Sequence, residues 1–245
     1  MILVTGATGI LGRVIVLELL KRGKTVRATK RKSSNLQEVR KSFQFYTETP
    51  NEYFDSIEWI EVDFEDIHSL QNALNGVEEV YHCAAKVSFH PKDEKKMYQT
   101  NIEGTKQLLF ACQNSSVKKF LFVSSIAVLD GLNENGELDE SSDFNPKIDH
   151  SAYAISKHFA EMEVWRASAE GLNVAIVNPG LIIGSGNWNE SSGTLFKELG
   201  ENAFTFSGGT SYVDVRDVAK ISVELMENNI FGERFILISE NKKYK

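Results

Sequence analysis

Apolar, β-rich runs alternate with helical stretches along almost the whole chain. The runs begin with "MILVTGA" and "TVRATKR", continue with "IEWIEVDF", "EEVYHCAA" and "KKFLFVSS", and end with "NVAIVNPG" and "RFILIS". Strands that alternate with helices predict βαβ units, and these units build a parallel sheet with helices on both faces. The sequence therefore predicts an α/β, doubly wound fold in which ligands bind at the carboxyl ends of the strands.

Local signals refine this order of elements. "ILGRVIVLELLKRG" predicts a helix that Gly23 closes near its C-terminus. A helical crossing is predicted from Asn35 to about Phe45, followed by a loop around Pro50. A further helix is predicted to carry "NIEGTKQLLFACQN" and another to carry "SAYAISKHFAE". We expect one domain, because 245 residues with 42% hydrophobic content bury a sizeable core.

Composition and cysteine usage exclude several classes of partner. The net charge of -7 argues against nucleic acid and against an anionic membrane surface. No apolar run approaches the ~20 residues of a membrane span, and the N-terminus "MILVTGATG" lacks the features of a signal peptide. Cys83 and Cys112 lie in apolar surroundings, and no CxxC or Cys/His cluster predicts a metal site. We expect a cytoplasmic protein.

The segment "VTGATGILGR" places Gly6, Gly9 and Gly12 between the first strand and its helix. A bound pyrophosphate needs a tight turn, close backbone approach and free N–H groups at a helix N-terminus. The GxxGxxG spacing supplies all three, although it is one residue longer at the start than the usual dinucleotide fingerprint. The sequence therefore predicts a phosphate-binding turn.

The end of the second strand indicates which nicotinamide cofactor binds. NAD-binding proteins usually place an acidic side chain about 20 residues after the glycines, but no Asp or Glu occurs between Thr25 and Gln37. Arg31 and Lys32 stand there, with Ser33 beside them, and a guanidinium can hold a 2′-phosphate with bidentate hydrogen bonds. NADP(H) is favoured and NAD(H) is the alternative. Arg27 is the weaker candidate for binding the 2′-phosphate, because the alternation of side chains along a strand can point it away from the cofactor.

Tyr153 and Lys157 are four residues apart, so a helix presents them on one face. A cation beside a phenol favours the phenolate and lowers its pKa from about 10. This pair predicts a group that exchanges protons near neutral pH. Taken alone, the pair favours an unremarkable surface helix, because such pairs often arise by chance.

Nine motifs follow one another between residue 1 and about residue 240. They are "TGATGILG", the arginine closing "VRATKR", "VDFED", "HCAAKVSF", "NIEGT", "VSSIAV", YxxxK, "NPG" and "YVDVRDVA". In this order they resemble the extended short-chain dehydrogenase/reductase family, also called the NAD-dependent epimerase/dehydratase superfamily, and within it the dihydroflavonol-reductase-like branch. The resemblance implies a single NAD(P)-binding Rossmann domain over residues 1–245.

The resemblance also implies roles for individual residues. Tyr153 would be the general acid, Lys157 would lower the pKa of Tyr153 and bind the nicotinamide ribose, and Ser125 would polarise the carbonyl oxygen. Ser124 is the alternative to Ser125, because only one of two successive strand residues can face the cleft. The cofactor-binding residues that the resemblance implies are Gly6, Thr8, Gly9, Ile10, Leu11, Arg31, Lys32, Asp63, Phe64, Ala84, Ala85, Lys86, Ser124, Tyr153, Lys157, Pro179 and Ile182.

Several other polar residues carry a weaker prediction. Asp63 is also compatible with a strand-end cap or a loop residue. Asn101 either helps to shape the site or is only a helix N-cap. His82 and His90 receive no role, because their spacing does not suit metal ligation. His158 points elsewhere on its helix than Lys157, so we expect it to be solvated or packed.

The chain departs from the family in length, since members usually continue into a C-terminal segment of a small substrate lobe. We expect that segment to be missing and residues 181–212 to supply the remaining substrate-facing surface. The predicted function is NADPH-dependent reduction of a ketone or aldehyde on a small molecule. Oligomeric state is open, and the resemblance favours a homodimer. Two other hypotheses are a nucleotide-sugar epimerase or dehydratase that uses NAD, and a non-catalytic NADP-sensing protein.

Overall fold

A computed structural model describes residues 1–88, 90–185 and 208–244. Seven strands form one sheet: β1 (Ile2–Thr5), β2 (Val26–Lys30), β3 (Glu58–Glu61), β4 (Glu79–His82), β5 (Lys119–Val123), β6 (Asn173–Pro179) and β9 (Glu233–Leu237). Their order across the sheet is β3-β2-β1-β4-β5-β6-β9, and every neighbouring pair is parallel. The order reverses between β1 and β4, which confirms the predicted doubly wound, Rossmann-like sheet.

Helices connect the strands and cover both faces of this sheet. Within the described residues they are α1 (Ile10–Lys21), α2 (Leu36–Ser42), α3 (Pro50–Asp55), α4 (Ile67–Ala73), α5 (Glu94–Tyr98), α6 (Gly104–Gln113), α7 (Ala152–Ala169) and α8 (Val215–Glu227). Short 3₁₀ turns lie at Phe43–Phe45, Pro91–Asp93 and Ile126–Val128, and a π-helical turn at Gln99–Glu103 joins α5 to α6.

Two hydrophobic clusters separate the faces of the sheet. Because side chains alternate along a strand, Leu121 joins the cluster under α1 and α8, whereas Phe120 and Phe122 join the cluster under α4, α6 and α7. Ala175 and Ile176 divide between the two clusters in the same way. Burial on both faces explains why β1, β5 and β6 are nearly continuous apolar runs rather than alternating ones.

Two features of the fold were not predicted from the sequence. Pro50 begins a short helix instead of lying in a loop, a position where its missing N–H costs nothing. A second sheet of three strands, β7 (Leu181–Ile183), β8 (Gly208–Asp214) and β10 (Glu240–Tyr244), lies after β6, with β8 antiparallel to β10 and parallel to β7. Within the described residues, no helix combines the length and apolarity that crossing a membrane requires.

Candidate active site

The turn after β1 has the geometry that the three glycines predict. Gly6 has a φ of 64°, which favours glycine, and a Cβ at this position would lie 2.6 Å from the Ala84 nitrogen. A Cβ at Gly12 would lie 2.3 Å from the Gly6 carbonyl oxygen. Side chains at either position would therefore push the turn away from β4 or from α1.

The N-terminus of α1 follows this turn and offers free donors. Gly9 is the N-cap and supplies no side-chain hydrogen bond, and the first turn of α1 contains no acidic residue. The first-turn N–H groups of a helix lack intrahelical acceptors and carry a partial positive charge. The turn and this helix end are thus suited to an anionic pyrophosphate. Thr8, Ile10 and Leu11 belong to this backbone, and the Leu11 side chain is buried in the core.

The basic residues at the end of β2 fall into two groups. Arg27 is bound structurally, since it donates to Glu58 at 2.8 Å and to the carbonyl oxygens of Ala73 and Asn75, and Lys30 lies 3.4 Å from Glu61. Arg31 and Lys32 are exposed, and neither side chain has a hydrogen bond or ion pair with the described part of the chain. These two cations therefore remain available for a ligand.

Ser125 and Tyr153 come together at the carboxyl edge of the sheet. Ser125 directly follows β5, and its side chain forms a hydrogen bond with the Tyr153 hydroxyl. Tyr153 lies in the first turn of α7, whose N-cap Ser151 accepts a hydrogen bond from the Ala154 N–H at 3.1 Å. This capped helix start fixes where the phenol emerges toward the sheet.

The pKa of Tyr153 is raised, which differs from the lowering that the Tyr153–Lys157 pair predicted. Burial of the phenol is the main cause, and the hydrogen bond with Ser125 only partly offsets it. The predicted lowering rested on the charge four residues away, whereas the loss of water around the ring depends on the tertiary structure. A protonated phenol is consequently the stable form of Tyr153 at neutral pH.

Lys157 is 2% exposed and is held beneath the sheet edge. Its ammonium donates to the Val123 carbonyl oxygen at 2.6 Å and lies 4.1 Å from the centre of the Phe122 ring. Burial lowers the pKa of Lys157 to about 7, although Glu161 and Cys83 oppose the shift. A small change in surroundings therefore moves this amine between its two protonation states near neutral pH.

Glu161 is a site residue that the sequence argument did not single out. It is 2% exposed and lies one turn beyond Lys157 on α7. Its carboxylate accepts from the Ser124 hydroxyl, from the Asn178 amide at 3.1 Å and from Arg234 at 3.2 Å. Ser124 is thus bound away from Tyr153, whereas Asn178 also donates to the Ser125 carbonyl oxygen at 3.1 Å.

The spacing of four residues between Tyr153, Lys157 and Glu161 could have identified Glu161, because residues four apart lie on the same helix face. Nothing in the local sequence, however, distinguishes it from Glu163, the other acid of the same helix, which is only partly buried. Its burial depends on Arg234, which is distant in the chain and belongs to β9.

Asn101 lies in the π-helical turn, not at a helix start, so the N-cap interpretation is wrong. Its amide donates to the Lys86 carbonyl oxygen at 3.0 Å and to the Ser156 hydroxyl at 2.9 Å, and it accepts from the Lys86 N–H at 2.7 Å. Ser156 in turn donates to the Tyr153 carbonyl oxygen at 2.7 Å. Asn101 therefore ties the loop after β4 to the helix that carries the phenol.

The remaining predicted cofactor residues line the same edge with different exposures. Ala84 and Ala85 follow β4, and Pro179 is buried at the end of β6. Ile182 packs against the core under α1 and α8. The Lys86 side chain lies 3.3 Å from Asp93, so it is paired within the loop.

The segment after β3 contributes a turn and an aromatic ring. Asp63 is exposed and accepts from the Glu65 N–H at 2.9 Å, as the strand-end interpretation expects. Phe64 stacks on His82 with ring centres 5.8 Å apart. Burial lowers the pKa of His82 to about 3, so this histidine is neutral, and it joins Thr5 and Thr105 by hydrogen bonds of 2.7 and 3.0 Å.

The predicted substrate-facing segment, residues 181–212, lies only partly within the described residues. Residues 186–207 lie outside the described residues, and the described ends of the segment belong to β7 and β8. Across the described ranges, no group of three or more His, Cys, Asp or Glu side chains could hold a metal ion.

A family model described as "NAD dependent epimerase/dehydratase family" matches residues 2–237. Sterol demethylase protein B of Methylococcus capsulatus is 31% identical over 242 residues, which cover 98% of this chain and 70% of that protein. A putative dihydroflavonol 4-reductase of a Synechocystis species is 29% identical over 250 residues, covering 97% and 67%. The crystal structure of Gre2 from Candida albicans in complex with NADPH has a TM-score of 0.81 at 22% identity, covering 99% and 79%.

The doubly wound sheet and the glycine turn define a dinucleotide-binding class of enzyme. The chain belongs to the NAD dependent epimerase/dehydratase family. This membership confirms the predicted extended short-chain dehydrogenase/reductase class and the prediction of an NAD(P)-dependent oxidoreductase.

Proposed function

We propose that the chain reduces a ketone or aldehyde on a small organic substrate with NADPH. The observation that carries this proposal is the hydrogen bond between Ser125 and Tyr153, at the same carboxyl edge of the sheet as the glycine turn and one helical turn before the buried Lys157. Two hydroxyl groups that share a hydrogen bond can both reach one carbonyl oxygen. The name of the Synechocystis relative, a dihydroflavonol 4-reductase, supports a reductase.

Each residue of this group has a role that its surroundings support. Bound NADPH supplies the hydride. Tyr153 donates its phenolic proton to the carbonyl oxygen, and its raised pKa keeps the proton in place until negative charge develops there. The Ser125 hydroxyl donates to the same oxygen and stabilises that charge. Lys157, when it is protonated, places a cation one turn beyond the phenol on the same helix.

NADPH, rather than NADH, is supported by the free cations after β2. Arg31 and Lys32 are exposed and unpaired within the described residues, whereas Arg27 and Lys30 have acidic partners. A 2′-phosphate carries more than one negative charge and gains from both an ammonium and a planar guanidinium. The Candida Gre2 structure contains NADPH, which is consistent with this preference.

The experiment that tests the activity is a panel of ketones and aldehydes, followed by loss of the reduced nicotinamide absorbance. Tyr153→Phe should abolish turnover while NADPH binding persists, and Ser125→Ala should lower kcat by about 100- to 1,000-fold. Tyr53→Phe is the matched control, because Tyr53 lies on α3 away from α7. Unchanged turnover in Tyr153→Phe would contradict the proposed mechanism.

The cofactor preference has its own test. Arg31→Ala should remove the preference for NADPH over NADH in direct binding measurements, because the guanidinium that would bind the 2′-phosphate is lost. Arg40→Ala removes the same charge from α2, where Arg40 pairs with Asp55, and should leave the preference intact. Tightly retained NAD in the purified protein would instead favour a nucleotide-sugar epimerase or dehydratase.

A further inference from the structure

Arg13 is a buried cation directly behind the glycine turn. Its side chain is 2% exposed although it lies in the first turns of α1. The guanidinium donates to the Gly9 carbonyl oxygen at 3.1 Å and also to the Thr8 carbonyl oxygen. Arginine is always charged, so burial at this position requires a negative partner.

Glu38 is that partner. Its two carboxylate oxygens accept from the two terminal nitrogens of Arg13 at 2.7 and 2.9 Å, which is the bidentate geometry that binds most strongly. The Glu38 side chain is 33% exposed, so this carboxylate borders both protein and solvent. One guanidinium separates it from the carbonyl oxygens of the glycine turn.

The position of Glu38 in α2 places it next to the basic segment. Its N–H donates to the N-cap residue Asn35 at 3.2 Å, and Asn35 directly follows the turn that begins at Arg31. That turn is closed by two hydrogen bonds of 3.0 Å between Arg31 and Ser34. Glu38 therefore connects the glycine turn to the candidate 2′-phosphate site.

This carboxylate changes the argument about the cofactor. The sequence has no acid between Thr25 and Gln37, which favoured NADP, yet the next residue, Glu38, is an acid on the helix that directly follows the basic turn. A carboxylate near a 2′-phosphate repels it and can instead accept from a ribose hydroxyl. The structure shows this acid already occupied on both oxygens by Arg13.

We propose that Arg13 sets the preference for NADPH by neutralising Glu38, so that the ion pair is a specificity-determining unit and not only a support for the glycine turn. This inference rests on the proposed use of NADPH. Arg13 also holds the carbonyl oxygens of Thr8 and Gly9, and that role affects both nicotinamide cofactors equally because both carry the same pyrophosphate. The neutralising role affects only the cofactor with the 2′-phosphate.

The test compares dissociation constants for NADPH and NADH, measured by binding without any carbonyl substrate. Arg13→Met keeps an unbranched apolar stem and should lower the preference for NADPH by about tenfold, which corresponds to about 1.4 kcal/mol. The double variant Arg13→Met/Glu38→Gln should restore the wild-type preference even where both affinities stay reduced. Arg22→Met is the matched control on the far end of α1, where Arg22 pairs with Glu18 and Glu227, and its preference should equal that of the wild type.

Two results overturn the inference. One is an equal loss of affinity for both cofactors in Arg13→Met, which leaves Arg13 a purely structural role. The other is a double variant whose preference stays as low as that of Arg13→Met. If circular dichroism shows that Arg13→Met does not fold, the Glu38→Gln variant alone decides. This variant leaves the Arg13 charge uncompensated and should raise the preference for NADPH about threefold. An unchanged preference overturns the inference.

The outcomes also separate this inference from the proposed function. Equal affinity of the wild-type protein for NADPH and NADH contradicts the proposed cofactor. A clear wild-type preference that Arg31→Ala removes, but that does not respond to Arg13 and Glu38, contradicts only the inference.

Discussion

Two buried cations near the candidate site are stabilised in different ways. Arg13 has a carboxylate in bidentate contact, whereas Lys157 has a carbonyl oxygen, an aromatic ring and the more distant Glu161. Lysine can respond to burial by losing its proton, and arginine cannot. The lowered pKa of Lys157 is therefore the expected consequence of its surroundings, and it links the stability of the fold to pH.

Replacing Lys157 with methionine should stabilise the protein most at or below neutral pH. The folded-state pKa of about 7 lies below the ordinary 10.5, so the unfolded chain binds the proton more readily between these values. Wild-type stability consequently gains from this group as pH rises from 7 to 10.5. The advantage of Lys157→Met should shrink over that range by an amount on the order of 5 kcal/mol.

Chemical denaturation at several pH values measures this difference. Lys106→Met is the control, because Lys106 is exposed on α6. Its effect on the free energy of unfolding should be nearly independent of pH over the same range. A Lys157→Met difference that is equally flat would show that Lys157 is not a proton-linked group in the folded protein.

At the scale of an element, α7 presents one functional face. Tyr153, Lys157, Glu161 and Trp165 follow each other at intervals of four residues, and the Trp165 indole donates to Glu161 at 3.3 Å. The Ser151 cap fixes the start of the helix, and the Asn101–Ser156 hydrogen bond fixes its rotation. One helix thus carries the phenol, the amine and the carboxylate that influences the amine.

Glu161→Gln should move the pH profile of carbonyl reduction toward lower pH. Glu161 raises the pKa of Lys157, so removing its charge allows the amine to lose its proton earlier. We expect the fall of kcat above neutral pH to begin roughly one pH unit lower. Steady-state rates across a pH series measure this shift, and glutamine keeps an acceptor for the neighbouring donors.

Glu163→Gln is the matched control on the same helix, because Glu163 pairs with Arg166 near the surface. It should leave the profile in place. A Glu161→Gln enzyme with lower activity but an unmoved profile would assign Glu161 a structural role only.

At the scale of the whole molecule, Arg234 joins three separate parts of the chain. It lies on β9, at the edge of the large sheet, and contacts Glu161 of α7. It also donates to the Glu140 carbonyl oxygen at 3.0 Å and lies 3.5 Å from Asp143. The Glu140 carboxylate in turn accepts from the Ile236 N–H at 2.9 Å, so the loop before α7 covers a donor of the edge strand.

Arg234→Met should therefore destabilise the whole fold. Glu161 is almost fully buried and would lose its cationic partner, while the loop would lose its attachment to β9. We expect a loss of about 1–3 kcal/mol in the free energy of unfolding, measured by denaturant titration. Lys220→Met, on the exposed side of α8, should change it by less than about 0.5 kcal/mol.

Most of the large sheet could be predicted, and so could the elements that carry the candidate site residues, because their signals are local. Apolar runs, the glycine spacing and the Tyr153–Lys157 interval each fit within one element and its neighbours. The three-stranded sheet could not be predicted, since β7, β8 and β10 are separated in sequence and pair through a topology that no local pattern records. The same reason hides the burial of Glu161, which depends on Arg234.

The sequence by itself determined the order of strands and helices, the turn that suits a pyrophosphate, and the helix that carries the phenol and the amine. Only the tertiary structure decided the electrostatics of these groups. It raised the pKa of Tyr153 where the sequence predicted a lowering, bound Ser124 to Glu161 instead of Tyr153, and paired Arg13 with Glu38. Periodicity follows from the chain alone, whereas desolvation and ion pairing depend on which distant residues exclude water from a group.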